Sequence, residues 1–341
     1  MDEKIYSQAK KIIERNPNCS ISYLQRTLHI GYNRATELIK AIQPTKLKEK
    51  NTYTDTNARN IAILSIGDAG EKIVSSINNQ KIKDIKLLSL KKALIQSDNA
   101  IATSLKDIDL LFLVTGLGGE TGSTVAPLVT KIAKELKIVV CSIVTMPFSF
   151  EGQKREKLAR KGLLDLKKYT DSIFVIENNS FLQALDKTLG LKESFEVVDN
   201  TIAQMIINIL NPALNSTSNH IDLDFNDIYN VLSHKGLSAI GISEHKGKNS
   251  VVNAINSAIE FPLFKNINIS DALCVLIIVR THPKFQLSSM QEAIDVVDKN
   301  EETSIIFTTS VDASLEIGYV QVTVVATGFE KMLNKAVNNV M

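Results

Sequence analysis

Residues 115–124 read TGLGGETGST. They follow an apolar run, IDLLFLV at 108–114, and precede an amphipathic one, VAPLVTKIAKEL at 125–136. A glycine-rich corner between a buried strand and a helix aims backbone N–H groups and a helix N-terminus at one point, which favours anions and phosphates above all. Gly116, Gly118, Gly119 and Gly122 let the backbone approach such a group closely, and Thr121, Ser123 and Thr124 offer hydroxyls. A tight turn without a ligand explains the same glycines. Glu120 stands mid-corner, where its charge opposes an anion. Pro127 is expected in the first helical turn, where proline is tolerated.

Working outward, the chain from residue 60 alternates strands with helices. The strands are NIAILSIG (60–67), IDLLFLV, KIVVCSIVT (137–145) and DSIFVI (171–176), with helices over 125–136 and 156–169. Near-continuous apolar runs of this length fit a parallel sheet covered on both faces. They predict a doubly wound α/β domain over 60–214. A second glycine corner, Gly67-Asp68-Ala69-Gly70, follows the first strand. Neither corner is a Walker A loop, since no Gly-Lys-Ser/Thr follows, and neither completes G-x-G-x-x-G. FEVVDNTIAQMIINIL (195–210) reads as a buried central helix stopped by Asn211-Pro212. A second α/β domain is expected over 215–332, from strands LSAIGIS, DALCVLIIVR, TSIIFTT and YVQVTVVAT and helices near 250–259 and 288–299, with 333–341 a tail.

Residues 1–43 read as three short helices: EKIYSQAKKIIERN with Ile5, Ala9, Ile12 and Ile13 on one face, SISYLQRTLHI with Ser20 as N-cap, and YNRATELIKAI after a turn at Gly31. This is a helix-turn-helix pattern. Residues 44–59 are a polar linker opened by Pro44. Residues 1–50 carry ten Lys/Arg against five Asp/Glu, a basic module on a mildly acidic body, which points to nucleic acid or another acidic surface. The three cysteines (19, 141, 274) are too far apart for a metal site and odd in number, which fits a reducing compartment. The five histidines form no i, i+4 pair, so no metal site is expected. With no signal peptide and no apolar run of membrane-spanning length, the expected location is cytoplasmic.

Three segments taken in order resemble one family. TGLGGETGST is similar to the signature loop GGGTGTG of the FtsZ branch of the tubulin-like GTPases, TMPFSFEGQKR (145–155) to its ribose-loop motif TxPFxFEGxxR, and VTVVATGF (322–329) to the closing strand of its second domain. The resemblance covers about residues 60–329. It implies a tubulin/FtsZ-like fold of nucleotide-binding domain, central helix and second α/β domain. It further implies that Gly67, Gly70, Gly118, Gly119, Thr121 and Gly122 line phosphates, that Glu151 and Arg155 contact ribose, and that Asn178 lies near sugar and base. Phe195 would stack on guanine, and Asp199 would accept from its N1–H and N2–H₂ together, a donor pair that adenine lacks. DLDFNDI (222–228) is similar to the family's NxDxxD loop, which completes the site of the next subunit in a filament; Asp224 and Asp227 keep its acids, and Asp222 replaces its asparagine. Read alone, Asp224 is a helix cap. The implied cofactors are GTP or GDP with Mg²⁺.

SISYLQRTLHIGYNRATELIKAI resembles the gamma domain of the DNA translocase FtsK, a winged helix. That resemblance implies a helix from Tyr32 in the major groove, with Asn33 and Arg34 at its start and Arg26 and Lys40 for phosphates. A helical protein-docking module is the plainer reading of the same helices, and PTKLKEKNTYTDT lacks the glycine-containing turn of the family's wing.

Departures from the FtsZ pattern concentrate on phosphate. The opening loop carries Asp68, Glu71 and Lys72 in place of small or amide residues, and only 53 positions separate Ser65 from Gly118, too few for the family's γ-phosphate loop. Like charges 4 Å apart at an effective dielectric of 20 repel by about 4 kcal/mol, roughly a thousandfold in affinity. Mg²⁺ held by Glu120, or its rotation to solvent, relieves this. The expectation is therefore a filament-forming or filament-binding protein that couples DNA to cell division or DNA segregation, with GTP hydrolysis weak or lost. A minimal active GTPase, and a DNA-binding regulator that senses nucleotide, are the alternatives. The chain ends soon after VVATGF, so no direct membrane contact is expected.

Overall fold

The computed structural model describes residues 3–15, 24, 28, 38–39, 41–42, 60–78, 85–90, 97–184, 190–214, 225–265, 267–285, 296–297 and 303–329. The chain divides into two units, residues 1–58 with 304–306, and the body made of the rest. In the first, α1 (Glu3–Arg15) turns Ala9 and Ile13 inward onto Leu24, Leu38 and Ile39, as the spacing of its apolar residues requires. Ser20, Gly31, the wing segment and all five expected DNA contacts, Arg26, Tyr32, Asn33, Arg34 and Lys40, lie outside the described residues.

The body is built on one sheet. Its strands are β1 (Ile61–Ile66), β2 (Ile85–Leu90), β3 (Leu110–Gly116), β4 (Val139–Met146), β5 (Ser172–Glu177), β6 (Gly236–Lys246), β7 (Cys274–Thr281), β8 (Ser304–Val311) and β9 (Tyr319–Phe329). They lie in the order β2-β1-β3-β4-β5-β6-β9-β7-β8. β1 to β5 are parallel, while β9 runs antiparallel to both β6 and β7. The expected boundary near 214 does not interrupt the sheet, because β5 and β6 pair in parallel over Ser172–Phe174 and Gly236–Ser238. Every residue of β1 is buried, as are most of β3 and β4, which is why their apolar runs are continuous.

The body's helices are α2 (Gly67–Asn78), α3 (Asp98–Ser104), α4 (Glu120–Glu135), α5 (Gln153–Leu166), α6 (Asn178–Ala184), α7 (Leu191–Leu214), α8 (Phe225–Leu232) and α9 (Ser250–Ile259). Three expectations need correction. α4 starts at Glu120, five residues early, so half of the glycine stretch is helix and Pro127 sits in its interior. Proline there removes the donor for the carbonyl of Ser123; Gly162 of α5 abuts this point, where a Cβ would come within 3.0 Å of that oxygen. α7 runs through Asn211-Pro212 to Leu214. Pro212 gives up a single hydrogen bond so near the helix end, which one more turn tolerates. β2 was not expected at all. The expected helix at 288–299 lies outside the described residues save for 296–297.

Candidate functional site

The order 2-1-3-4-5 reverses direction between β1 and β3. In open α/β sheets ligands bind at such a switch point, beyond the carboxyl ends of the strands. Both glycine corners lie there, since Ile66 pairs with Thr115 at the ends of the two strands. The opposite end is structural: Asp171 binds Lys134 Nζ at 2.8 Å and accepts from the Val140 N–H.

The first corner has no loop. β1 passes directly into α2 through Gly67, whose φ is +73°. In the second, Leu117–Gly119 is all that remains between β3 and α4. The glycines divide by role. A Cβ at Gly70 would lie 2.4 Å from the Val114 carbonyl oxygen, and one at Gly122 2.1 Å from that of Gly116, so both serve helix-on-strand packing. Gly67 and Gly119 face open space. Two of the expected hydroxyl donors are engaged within the chain: buried Ser123 Oγ accepts from the Gly118 N–H at 2.9 Å, and exposed Thr124 Oγ1 donates to the Glu120 carbonyl. Thr121 is half-buried in the first turn of α4. Glu120 is exposed there, at the positive end of the helix dipole.

Segments far apart in sequence close around these corners. Gly118 packs against Pro147 and the backbone of Arg155. Glu151 Oε1 accepts from the Phe148 N–H at 2.8 Å, and Glu151 pairs with Arg155. Asn179 Oδ1 accepts from the Ser149 N–H. Phe148 is buried between Phe150, stacked at 5.0 Å, and the edge of Phe195 at 4.8 Å on α7. Phe148 is thus the joint between the 145–155 segment and α7; the TMPFSFEG motif contained it, and its role went unread. Asn178 is buried, and its Oδ1 has no hydrogen-bond partner among the described residues.

α2 and α7 pack together and leave a cleft of about 850 Å³ with Lys72, Phe195 and Asp199 in its wall. Burial raises the Asp199 carboxyl to about 6, Lys72 works against that rise, and Glu196 adds to it. The corner after β3 is not part of this wall.

Residues 89–186 match the GTPase domain of the Tubulin/FtsZ family and residues 236–330 the C-terminal domain of the FtsZ family. The body belongs to the tubulin/FtsZ family. The cell division protein FtsZ of Helicobacter pylori is 32% identical over 248 residues, which are 72% of this chain and 64% of that one. The solved FtsZ dimer of M. jannaschii superposes with a TM-score of 0.71 at 26% identity, covering 84% of this chain and 93% of that one. CetZ2 of Haloferax volcanii, solved as a GTPγS-bound protofilament, shares the fold at 15% identity, with a TM-score of 0.63 over 82% and 97% of the two chains. Residues 1–47 match the FtsK gamma domain, so an FtsZ-like body is fused to an FtsK gamma-type unit.

Of the residues expected from the FtsZ pattern, Gly67, Gly70, Gly118, Gly119, Thr121 and Gly122 gather at the switch point, with Arg155 beside Gly118 and Glu151 paired to Arg155. Phe195 and Asp199 share the cleft. Asp227 lies in the first turn of α8, outside that wall. Asp222 and Asp224 fall outside the described residues. No three His, Cys, Asp or Glu side chains converge as a metal site, and no helix is long and apolar enough to cross a membrane, among the described residues.

Proposed function

We propose that this protein is an FtsZ-like filament subunit tethered to DNA by its N-terminal unit, reading guanine nucleotide through base and sugar while gripping the terminal phosphates weakly. The observation that carries this is the contrast between the two halves of the site. On the base side, the Phe195–Asp199 wall and the orphaned, buried Oδ1 of Asn178 suit a ligand with an aromatic face and hydrogen-bond donors. On the phosphate side, Glu120 occupies the first turn of α4, and the Gly118 N–H is already taken by Ser123. A triphosphate would supply the hydrolysable anhydride, and Mg²⁺ would supply charge neutralisation to it. The chain's own residues hold the base, exclude water around Phe148, and present Asp227 at the head of α8 to a neighbouring subunit.

In this reading the cytoplasmic protein couples DNA to a filament, its own or that of an FtsZ, in division or DNA segregation. The test is nucleotide binding and turnover by the full chain, with sedimentation in GTP, GDP and neither. Assembly independent of nucleotide, with little phosphate release, is expected. Micromolar GTP retention with steady phosphate release, and GTP-dependent pelleting lost in Asp227→Ala, would establish the minimal active GTPase instead. Band shifts on random and oriented repeat DNA test the tether.

A further inference from the structure

We infer that the FtsZ-like body carries a DNA-binding surface of its own: the exposed lysine stripe of α5, which grips the phosphate backbone of a duplex without reading its sequence. The choice of DNA as occupant rests on the DNA-binding reading of the N-terminal unit. The surface itself belongs to the body and contributes no residue to the wall of the α2–α7 cleft.

Positive charge is concentrated here. Residues 153–168 hold seven Lys/Arg against two Asp/Glu, a surplus of five in sixteen residues. The first fifty residues carry the same surplus, while the whole chain has a net charge of only +2. The remainder is therefore acidic, and these two segments are where a polyanion is drawn.

The fold sorts the charges by face. α5 turns Ala159, Gly162, Leu163 and Leu166 into the core. Glu151, Glu156 and Asp165 take up Arg155, Arg160 and Lys168 respectively. Lys154, Lys157 and Lys161 are exposed and have no carboxylate within 4 Å among the described residues. Spaced by three and four, they stand on one side of the helix, opposite the buried side, along about 10 Å of its axis. Phosphates of one strand recur every ~3.4 Å along a duplex, so a stripe of this length faces about three of them.

The chemistry of the stripe selects its occupant. Firm attachment to an anionic membrane asks for an apolar face as well as charge, and the apolar face of α5 is spent on the core. Protein interfaces are depleted of lysine at their centres. What remains is a row of compact point charges, which suits backbone phosphates and carries no base readout. A chain whose N-terminal unit holds DNA also keeps that polyanion at high effective concentration for its other basic surfaces.

The experiment is fluorescence anisotropy of the full chain with labelled duplexes, one of random sequence and one of oriented repeats, over a range of salt. Lys154→Gln, Lys157→Gln and Lys161→Gln together should reduce the slope of log K against log salt by about 2–3 and affinity by roughly tenfold or more, equally on both duplexes. Arginine at the same three positions keeps the charges and should keep the slope. Arg26→Ala with Lys40→Ala tests the N-terminal unit separately. A glutamine triple that binds like the unaltered chain overturns the inference and leaves the N-terminal reading standing. An arginine triple as weak as the glutamine one, or a loss confined to one duplex, also overturns it. A glutamine triple released from phosphatidylserine vesicles with its DNA binding unchanged assigns the stripe to a lipid surface instead. An Arg26/Lys40 variant that binds fully while the glutamine triple does not overturns the N-terminal reading and leaves the stripe standing. Failure of the full chain to bind either duplex overturns both.

Discussion

Gly122→Ala separates the two reasons a glycine can sit beside a ligand corner. The new Cβ would lie 2.1 Å from the carbonyl oxygen of Gly116 and 2.7 Å from Thr115 Oγ1. Neither neighbour can step aside cheaply. Gly116 is the last residue of β3, and the Thr115 hydroxyl is itself bonded to the Ile66 carbonyl at 2.9 Å. Relief requires α4 to move off the sheet by about an ångström. Overpacking of a filled site costs about 1–3 kcal/mol, and a clash with backbone on both sides belongs at the upper end. At about 3 kcal/mol the melting temperature of a domain this size falls by roughly 6–12 °C. Gly119→Ala is the control: its Cβ meets nothing within 4 Å, and its φ of −89° suits alanine. It costs about 1 kcal/mol or less, the difference between glycine and alanine at an N-cap. Differential scanning calorimetry of the two variants decides the matter. A Gly122→Ala protein melting with the unaltered chain, or a Gly119→Ala protein losing as much as Gly122→Ala, would refute the assignment of Gly122 to packing and Gly119 to the open side.

Glu120→Gln removes a charge from the first turn of α4 and should lower stability by about 0.3–1 kcal/mol at low salt, with the loss shrinking as salt rises; urea unfolding at two ionic strengths measures it. In the proposed reading Asp199, with a carboxyl raised to about 6 chiefly by burial, accepts from both guanine donors only when ionised, so guanine-ligand affinity should fall as pH drops from 7 through 6. Because its folded-state value exceeds the ordinary 3.8, the folded protein binds the extra proton, and this group's contribution to stability declines as pH rises from about 4 to about 6. Asp199→Asn should flatten that decline in a pH series of melting curves. DNA binding by the full chain should weaken steeply with salt, and Arg26→Ala with Lys40→Ala should reduce the slope of log K against log salt by about 1–2 if both contact phosphate.

Much of the fold was legible because β1, β3, β4 and β5 are buried enough to be written as unbroken apolar runs. β2 was not: as the edge strand IKLLSL it exposes Lys86, Leu87 and Ser89 and keeps only Leu90 fully inside, so no run or alternation marks it. The start of α4 was misplaced because Gly122, Ser123 and Thr124 are poor helix formers. Tertiary packing decides there, with Gly122 against β3 and Gly162 against Ser123. The site residues were readable one by one from motifs. Their mutual arrangement was not, since the strand order that brings 67, 118 and 155 together leaves no trace in local pattern. Nor could sequence show that Ser123 spends its hydroxyl on Gly118, or that Asn178 is buried with an unmatched oxygen.

The bond from Gly118 N–H to Ser123 Oγ, with Glu120 at the head of α4, means the corner supplies its own acceptor and its own countercharge. A corner that satisfies its tightest N–H from within leans less on a guest in order to fold. The protein should accumulate, purify and refold without added nucleotide, so that its abundance is set by synthesis and proteolysis.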